Sequence, residues 1–329
     1  MNNHSKQYGV ALITALIFTA LVTTFAVSIA VQQQIDIRRT GNILSSDRAY
    51  VLALGVEDWA RDVLKKDITD ATGDLVDHLG EDWNVSLPAI QLEGAAVAGK
   101  VTDLQGLINV NALVEPGGTP ASTHVERFKR LLNLFDFNED LTDALIDWID
   151  PNTAATIPFG AEDSYYLSLE PSYRTANAPM VSISELRLVQ GFDQEVYETL
   201  LPFITALPIP SAIAGGPPPI IPGINVNTAP LEVLQVLVSP RLDLLDAESV
   251  RADGDSTDGF QDIADFRGNS IIASRTLPTD FAGTVVSDYF LIESDAVLAD
   301  ARIKLFSVVK RDSASSGNLT VLMRGQGSY

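Results

Sequence analysis

One uninterrupted apolar segment near the N-terminus constrains the fold of this chain more than any other feature. Residues 10–31 contain no charged residue, no proline and no glycine. As a helix with a rise of about 1.5 Å per residue, this segment is about 33 Å long, which is enough to cross the hydrocarbon core of a bilayer. The sequence therefore predicts a membrane-spanning helix over residues 10–31.

A secretory signal peptide is the alternative for the same segment. Ser28 and Ala30 form a small-x-small pattern before the glutamines at 32–34, and signal peptidase cuts after such patterns. The apolar run is nevertheless longer than the roughly 7–15 residues that are usual for the apolar part of a signal peptide. The length favours a retained helix, whereas a mature N-terminus at Val31 would indicate the alternative.

Apolar residues continue at helical spacing beyond the membrane segment. Leu52, Val56, Trp59 and Val63 follow one another in steps of four, three and four, which is the period of one helix face. We therefore expect one helix that runs to about Lys66. Its first half would lie in lipid, and the apolar stripe of its second half would pack on a globular domain.

The N-terminal residues also carry a more specific pattern. A short polar leader ends at Gly9, and the apolar helix follows at once from Val10. This arrangement resembles the class III leaders of type IV pilins and pseudopilins, in which a prepilin peptidase cuts after the glycine on the cytoplasmic face and the new N-terminal residue is methylated. The resemblance implies cleavage after Gly9 and methylation of Val10.

One departure from the pilin pattern narrows the resemblance. The fifth mature residue is normally Glu and is here Thr14, which resembles the K-type minor pseudopilins of the type II secretion system. A carboxylate inside the bilayer costs several kcal/mol unless it meets a cation, and in pilins this cation is thought to be the N-terminal ammonium of a neighbouring subunit. The resemblance implies that Thr14 belongs to a tip subunit, ahead of which no neighbour lies.

Four further motifs resemble the same family and extend the resemblance over essentially the whole chain. They are DLQGLINVN at 103–111, LIDWID at 145–150, GAEDSYY at 160–166 and SELRLVQGF at 184–192. The resemblance implies a minor pseudopilin that caps the pseudopilus tip and helps to initiate its assembly for protein export. It also implies a single pass through the bacterial inner membrane, with the C-terminal head in the periplasm.

The resemblance implies several protein partners as well. They are the minor pseudopilins I and J, and also H, the major pseudopilin, and the prepilin peptidase as processing enzyme. We expect helix packing around residues 10–59 to join the pseudopilins.

The pattern of local elements predicts an α+β fold: a pilin-like long N-terminal transmembrane helix packed on an antiparallel sheet, with a large all-α inserted domain. Strands are expected at 95–104, 288–293, 301–309 and 319–324, and helical patterns begin at Phe128, Asn138, Ser184 and Gln194. The Pro/Gly-rich stretch 208–223 marks a boundary. The expected domains are a leader 1–9, a membrane helix 10–31, a first pilin-like part 32–111, an inserted domain 112–222 and a second pilin-like part 223–329. Two sequential domains are the alternative.

A short internal repeat brackets the helical region. The motif INVNA at 108–112 recurs as INVNTA at 224–229. Each copy places an asparagine where its side chain can cap a helix or a turn.

Charge and residue types exclude several functions. The chain has 22 basic and 43 acidic side chains, and its formal net charge of −21 repels nucleic acid. Residues 184–205 resemble a helix-hairpin-helix but carry one Arg against four acids, so we expect a packing unit.

There is no cysteine, no serine-centred elbow and no phosphate loop. We therefore expect no enzyme.

Acidic residues around the end of a predicted helix suggest a metal site. Asp147, Asp150 and Asn152 are followed after a short loop by Glu162, Asp163 and Ser164. Such oxygen donors suit Ca²⁺, and the resemblance implies calcium in this inserted domain, as a structural ion. A solvated acidic helix end is the alternative.

The second acidic loop, 253–259, does not match the ligand spacing of an EF-hand, and we expect it to be solvated.

A second function fits the same features. If the N-terminal segment were removed after Ala30, the chain would be a secreted or periplasmic calcium-stabilised binding domain. The mature N-terminus distinguishes the two hypotheses, because the pseudopilin begins at Val10.

Overall fold

The computed structural model describes residues 7–70, 75–92, 94–209, 221–278, 280–313 and 317–327. Helix α1, Gln7–Asp70, contains 64 residues and runs without a break through Gly41 and Gly55. It confirms the prediction that one helix continues from the apolar segment past Lys66. Most of the predicted leader and most of the Pro/Gly-rich stretch lie outside the described residues.

Shorter helices and strands follow α1 along the chain. The helices are α2 Ser122–Leu134, α3 Leu141–Ile149, α4 Asp163–Tyr166, α5 Gln194–Leu200, α6 Leu231–Val236, α7 Leu244–Asp255, α8 Ile263–Gly268 and α9 Ser270–Ala273. The strands are β1 Leu87–Leu92, β2 Ala95–Asp103, β3 Ile108–Asn109, β4 Ile204–Thr205, β5 Ile224–Asn225, β6 Gly283–Thr284, β7 Tyr289–Leu298, β8 Ala301–Arg311 and β9 Leu319–Gln326. Single turns of 3₁₀-helix lie at Asp82–Asn84, Val110–Leu113, Ile183–Leu188 and Leu201–Phe203.

Five of these strands form one antiparallel sheet in the order β1-β2-β7-β8-β9. In the central pair, Ala95 lies opposite Leu298 and Asp103 lies opposite Phe290. The sequence predicted β2, β7, β8 and β9 near these bounds and missed β1. Strand β1 contains Pro88 and is mostly exposed, so its apolar pattern is weak. The α+β class with a long helix on an antiparallel sheet is confirmed.

The face of α1 that lies on the sheet consists largely of small residues. Ala49, Ala53 and Ala60 are buried there, and small side chains let the helix axis approach the strands closely. The approach is closest where Val56 meets Gly99 of β2, because a Cβ atom at Gly99 would collide with the Val56 side chain.

The predicted apolar stripe of α1 therefore turns toward one flank of the interface. Val56 is buried, Leu52 and Val63 are half-buried, and Trp59 is 40% exposed. The expectation that the stripe packs on the head holds for three of its four residues, because Leu52 and Val63 pack against the buried clusters on either side of Val56. Of the four, only Trp59 is exposed, and the alanines beside the stripe share the contact with the sheet.

The described residues between β2 and β7, here called the helical unit, share one apolar core. Phe128 and Leu145 from its first half and Val233 and Phe266 from its second half belong to the same buried cluster. The sequence-based limits 112–222 and 223–329 stay predictions. Because the core crosses residue 222, we propose that the helical unit extends to residue 288.

The repeated Asn-x-Asn motif fixes both halves of the helical unit in the same way. Asn111 accepts a hydrogen bond from Met180 N at 2.7 Å and donates one to Met180 O at 2.9 Å. Asn227 holds Phe260 identically, with distances of 2.8 and 3.1 Å. Each side chain thus clamps a distant backbone segment, which explains why the motif occurs twice.

Several helix bounds differ from the sequence-based expectation. Helix α2 begins at Ser122 rather than Phe128, and α3 begins at Leu141 rather than Asn138. Ser182, rather than Ser184, caps the 3₁₀-turn, and Glu185 completes its capping box. Helix α5 ends at Leu200, followed by a turn that contains Pro202. A helix to Thr205 was expected, but proline has no N–H to continue the helical hydrogen bonds.

Candidate metal centre and assembly surface

Two of the predicted ligands come from the end of α3. The inner face of this helix carries Asp147, whose side chain has no exposed surface. Asp150 follows at the helix end, where the backbone becomes extended with φ −74° and ψ 155°. Pro151 comes next and restricts its predecessor to such a conformation. The local sequence therefore places two carboxylates at one buried helix end.

The loop after α3 returns the chain to Asp147. The N–H of Thr156 donates to both carboxylate oxygens of Asp147, with N···O distances of 3.2 and 3.0 Å. Gly160 lies in contact with the same carboxylate, and a Cβ atom there would overlap Asp147 Oδ2 and the Thr156 backbone. This close return brings Glu162, at the start of α4, to the end of α3.

Asp147, Asp150 and Glu162, here called the acidic trio, are each at most 4% exposed. Burial raises the pKa of all three carboxyls. The negative charge of Asp147 raises the pKa of both Asp150 and Glu162 further. Within the described residues, no Lys, Arg or His forms an ion pair with the trio. The described part of the chain therefore supplies no paired counter-charge to the trio.

The other three predicted ligands are placed differently. Asp163 forms an ion pair with Arg174 at 2.9 Å. Asn152 donates its side-chain amide to Asp150 at 2.8 Å, and Ser164 is exposed. Asp147, Asp150 and Glu162 are close enough for their charges to raise one another's pKa, although their oxygens do not all lie within 4.8 Å of one another as those of Asp67, Asp77 and Glu81 do. The fourth predicted carboxylate, Asp163, is paired with Arg174 instead.

The donor set of the trio suits a hard cation. Glu162 Oε1 is buried without a hydrogen-bond partner, and every donor of the trio is a carboxylate oxygen, the donor type that Ca²⁺ prefers. Asp143 was missed among the predicted ligands. It accepts a hydrogen bond from Phe159 N at 3.4 Å, and its charge raises the pKa of Asp147. Its position one helical turn before Asp147 is the signal that could have revealed it.

A second acidic group lies where the end of α1 meets the sheet. Oxygen atoms of Asp67, Asp77 and Glu81 lie within 4.8 Å of one another. The fully buried Arg311 of β8 contacts Asp77 and lies 2.6 Å from Asp67 Oδ2, so a protein cation already fills the position that a metal would take. No local signal in the sequence joins residues 67 and 311, because packing of α1 on the sheet brings them together.

Burial dominates the electrostatics of this second group. It raises the pKa of Asp77 to about 6, against the attraction of Arg311, and that of Glu81 to about 8. Glu81 accepts hydrogen bonds from the Trp83 indole at 2.6 Å and from His78 N at 2.9 Å. The group is a buried junction that fastens α1 to the strands.

The two flanks of α1 on the head differ in chemistry. On the β9 side, Arg324 forms an ion pair with Glu57 at 2.8 Å, and Arg61 donates to Leu319 O at 3.2 Å. At about 100° per residue, Trp59 lies on the other side of α1 from Glu57 and Arg61. The β9 flank is therefore polar and already paired within the chain.

The β1 flank is apolar and open. Ile90 and Leu92 are 41% and 46% exposed. They lie opposite Val97 and Ala95, which are buried under α1, so all four point to the same sheet face. Trp59 is exposed on the same side of α1, and Ile90, Leu92 and Trp59 are here called the apolar flank.

The residues predicted for processing, Gly9 and Val10, lie with Thr14 in the N-terminal half of α1. The Gly9–Val10 bond is part of the helix. The Thr14 hydroxyl donates to Val10 O and Ala11 O at 3.1 and 3.0 Å, so its polarity is satisfied without a partner helix. Among the described residues, α1 is the one helix that is long and apolar enough to cross a membrane, with a fully exposed window of mean hydropathy 2.4.

Comparison with known proteins agrees with this geometry. Two family models described as type II secretion system protein K match residues 106–209 and 224–286. Type II secretion system protein K of Pseudomonas aeruginosa is 34% identical over 98% of this chain and 93% of its own length. The Aeromonas hydrophila protein of that name is 30% identical over 97% of this chain and 96% of its own length.

A solved structure shares the fold. It is a chain of the GspK-GspI-GspJ complex from the type 2 secretion system of enterotoxigenic Escherichia coli, with a TM-score of 0.73 and 24% identity. The match covers 88% of this chain and all of that chain. From the long apolar helix, the interrupted sheet and the extent of these matches, we conclude that this chain belongs to the type II secretion system protein K family, the K-type minor pseudopilins.

Proposed function

We propose that this chain caps the tip of the type II secretion pseudopilus and helps to initiate its assembly for protein export, without catalytic activity. The observation that carries the proposal is the division of α1. Every described side chain from Val10 to Leu44 is exposed, so half of the helix requires lipid or sister helices as its surroundings. The head lies on the other half.

The size and place of the helical unit support a capping position. It is inserted between two hydrogen-bonded strands, β2 and β7, and widens the head beside α1. A repeating position in a helical fibre needs a head that fits between neighbours above and below. A terminal position has no neighbour ahead and accepts the extra width.

The proposed partners are the minor pseudopilins I and J, with H and the major pseudopilin further along the fibre. The relative with the same fold comes from a complex with GspI and GspJ, and the apolar flank of α1 offers a surface for a second long helix. Such a helix would bury Trp59, Ile90 and Leu92, which the head leaves exposed. The −21 charge argues against nucleic acid as a partner.

We propose that prepilin peptidase cuts after Gly9, that Val10 is then methylated, and that the head lies in the periplasm. Mass spectrometry of the mature chain tests this step. A methylated N-terminus at Val10 is expected. A chain that begins at Val31 would instead support the alternative of a secreted or periplasmic calcium-stabilised domain with a removed signal peptide.

The tip position has a direct test. Gold-labelled antibody against the helical unit should mark one end of each pseudopilus, and cells without this chain should make fewer fibres and export less protein. Label along the whole fibre, or normal export without the chain, would contradict the proposal.

We also propose that the acidic trio holds a structural Ca²⁺. Asp147, Asp150 and Glu162 would supply the carboxylates, and Asp163, Asn152 and Ser164 remain further candidate ligands. The cation would neutralise three buried negative charges and hold the loop before α4 against α3. Melting temperatures in EDTA, calcium and magnesium test the proposal, because a specific site responds to calcium at micromolar concentrations and much less to magnesium.

A further inference from the structure

A buried arginine in the helical unit lacks the partners that its charge requires. Arg127 on α2 is 1% exposed, and its Nε and Nη2 atoms have no hydrogen-bond partner. These two nitrogens form one edge of the guanidinium plane, the edge that binds two oxygens of a carboxylate or a phosphate side by side. Burying a charge without a partner costs free energy. The free edge of the guanidinium is therefore expected to bind an anion.

The surroundings of Arg127 add positive rather than negative charge. Arg130, one helical turn further along α2, also has a buried Nε without a hydrogen-bond partner. Burial, and next the charge of Arg130, lower the pKa of Arg127 to about 10. The imidazole of His124, whose Nδ1 lies 3.5 Å from Arg127 Nη1, contributes no positive charge at neutral pH, because burial and the charge of Arg127 lower its pKa to about 4. Two arginine side chains therefore lie close together inside a strongly acidic protein.

The described acids near the two arginines form no ion pair with Arg127. Glu126 is exposed, and its charge acts on Arg130. Asp280 is exposed, and the hydroxyl of Thr123 donates to both of its carboxylate oxygens at 2.6 Å. Within the described residues, no carboxylate forms an ion pair with Arg127. The other neighbour of the guanidinium is the Phe281 ring, whose centroid lies 5.6 Å from Cζ. An aromatic face attracts a cation but offers no oxygen to the free N–H groups.

From this arrangement, we propose that α2 carries a binding site for a small oxyanion, with Arg127 as the bidentate anchor and Arg130 as the second cation. The ligand is small, because the Arg127 side chain is almost completely buried. Phosphate, sulfate and a free carboxylate share the required pair of oxygens. This site is separate from the acidic trio and does not rest on the proposed function.

The test measures melting of the full-length chain in detergent with phosphate, sulfate, acetate or chloride at equal ionic strength. A saturable rise in melting temperature with an oxyanion, absent in chloride, is expected. Comparing the tetrahedral ions with acetate identifies the preferred ligand. Sulfate also avoids precipitation with calcium. No saturable difference between the oxyanions and chloride would overturn the proposal.

Three variants sharpen the test. Arg130→Gln should weaken the oxyanion roughly 10-fold or more, as expected for loss of a charge-assisted contact. Lys129→Gln, on the same helix and with the same change of charge, should leave affinity unchanged and is the matched control. Asp280→Asn removes the nearest competing anion and should strengthen binding. If the Arg130 and Lys129 variants bind the oxyanion with equal affinity, the effect of the oxyanion is general charge screening, and the proposed site is refuted.

Discussion

Gly160 lies against the carboxylate of Asp147 so closely that no side chain fits between the loop and α3. A Cβ atom there would overlap Asp147 Oδ2 as well as the N and O atoms of Thr156, and Gly160 N itself donates to Thr156 O at 2.6 Å. The glycine is required by this approach and not by its backbone angles. The position of the loop, and with it the place of Glu162, depends on the missing side chain.

We therefore expect Gly160→Ala to destabilise the helical unit by about 1–3 kcal/mol, the usual cost of overpacking. The variant should also weaken calcium binding, because displacement of the loop separates Glu162 from Asp147. Gly268→Ala is the control, since a Cβ atom at Gly268 meets no atom within 4 Å. Chemical denaturation and calcium titration of both variants check the prediction, and equal results for the two would contradict it.

The calcium response should depend on pH. In the metal-free chain, burial raises the pKa of each carboxyl of the trio, so their contribution to stability is present at low pH and is lost as pH rises through the raised pKa values. Calcium binds the deprotonated form and reverses this loss. The difference in melting temperature between calcium and EDTA should therefore grow from pH 5 to pH 7.5.

At calcium concentrations about 100 times the dissociation constant, the expected stabilisation is roughly 2.7 kcal/mol, or on the order of 5 °C for a head of this size. Asp147→Asn should remove most of this difference, while Asp253→Asn in the second acidic loop should retain it. A calcium effect that is constant with pH, or equal in both variants, would speak against the trio as the site.

Local patterns in the sequence were sufficient for the parts of the molecule that form over short chain distances. The grouping of the trio could be predicted because Pro151 ends α3 and a short loop leads from there back to Glu162. The Arg311 junction could not, since Asp67 on α1 and Arg311 on β8 meet only where the helix packs on the sheet. The exposure of Trp59 could not be predicted either. The apolar period at Leu52 and Trp59 defines a helix face but does not say that adjacent alanines share the contact with the sheet.

The Arg311 junction should make stability sensitive to alkaline pH. The pKa of Glu81 in the folded chain is about 8, above its ordinary value, so its stabilising contribution is complete below about pH 4.5 and is lost as pH rises through about 8. Glu81→Gln keeps an acceptor for the Trp83 indole and removes the repulsion from Asp67 and Asp77. The variant should melt higher than the parent chain at pH 8.5 and at a similar temperature at pH 5.

Glu248→Gln is the control for this comparison, because Glu248 is exposed on α7 and loses the same charge. If both variants shift equally at pH 8.5, the effect comes from the net charge of −21 rather than from the junction. A lower melting temperature for Glu81→Gln at pH 8.5 would show that the carboxylate is stabilising there, contrary to the prediction.

The apolar flank of α1 provides the sharpest test of assembly. Trp59→Ala should weaken co-purification of the full-length chain with the I and J pseudopilins by at least about 10-fold, as expected for an aromatic side chain at the centre of an interface. The partly exposed Trp59 contributes little to the core of the head. The free energy of unfolding of the variant should therefore stay within about 1 kcal/mol of that of the parent chain. Loss of association without loss of folding assigns the flank to the partners.

Leu245→Ala is the matched control, because Leu245 is 72% exposed on α7 and far along the chain from α1. It should bind I and J normally and support export. A pair of variants on the polar flank, Asp58→Ala and Asp62→Ala, distinguishes the two sides of the helix, since the ion-paired side should tolerate both changes. If these two variants abolish association and Trp59→Ala does not, the partner helix lies on the β9 side and the apolar flank faces something else.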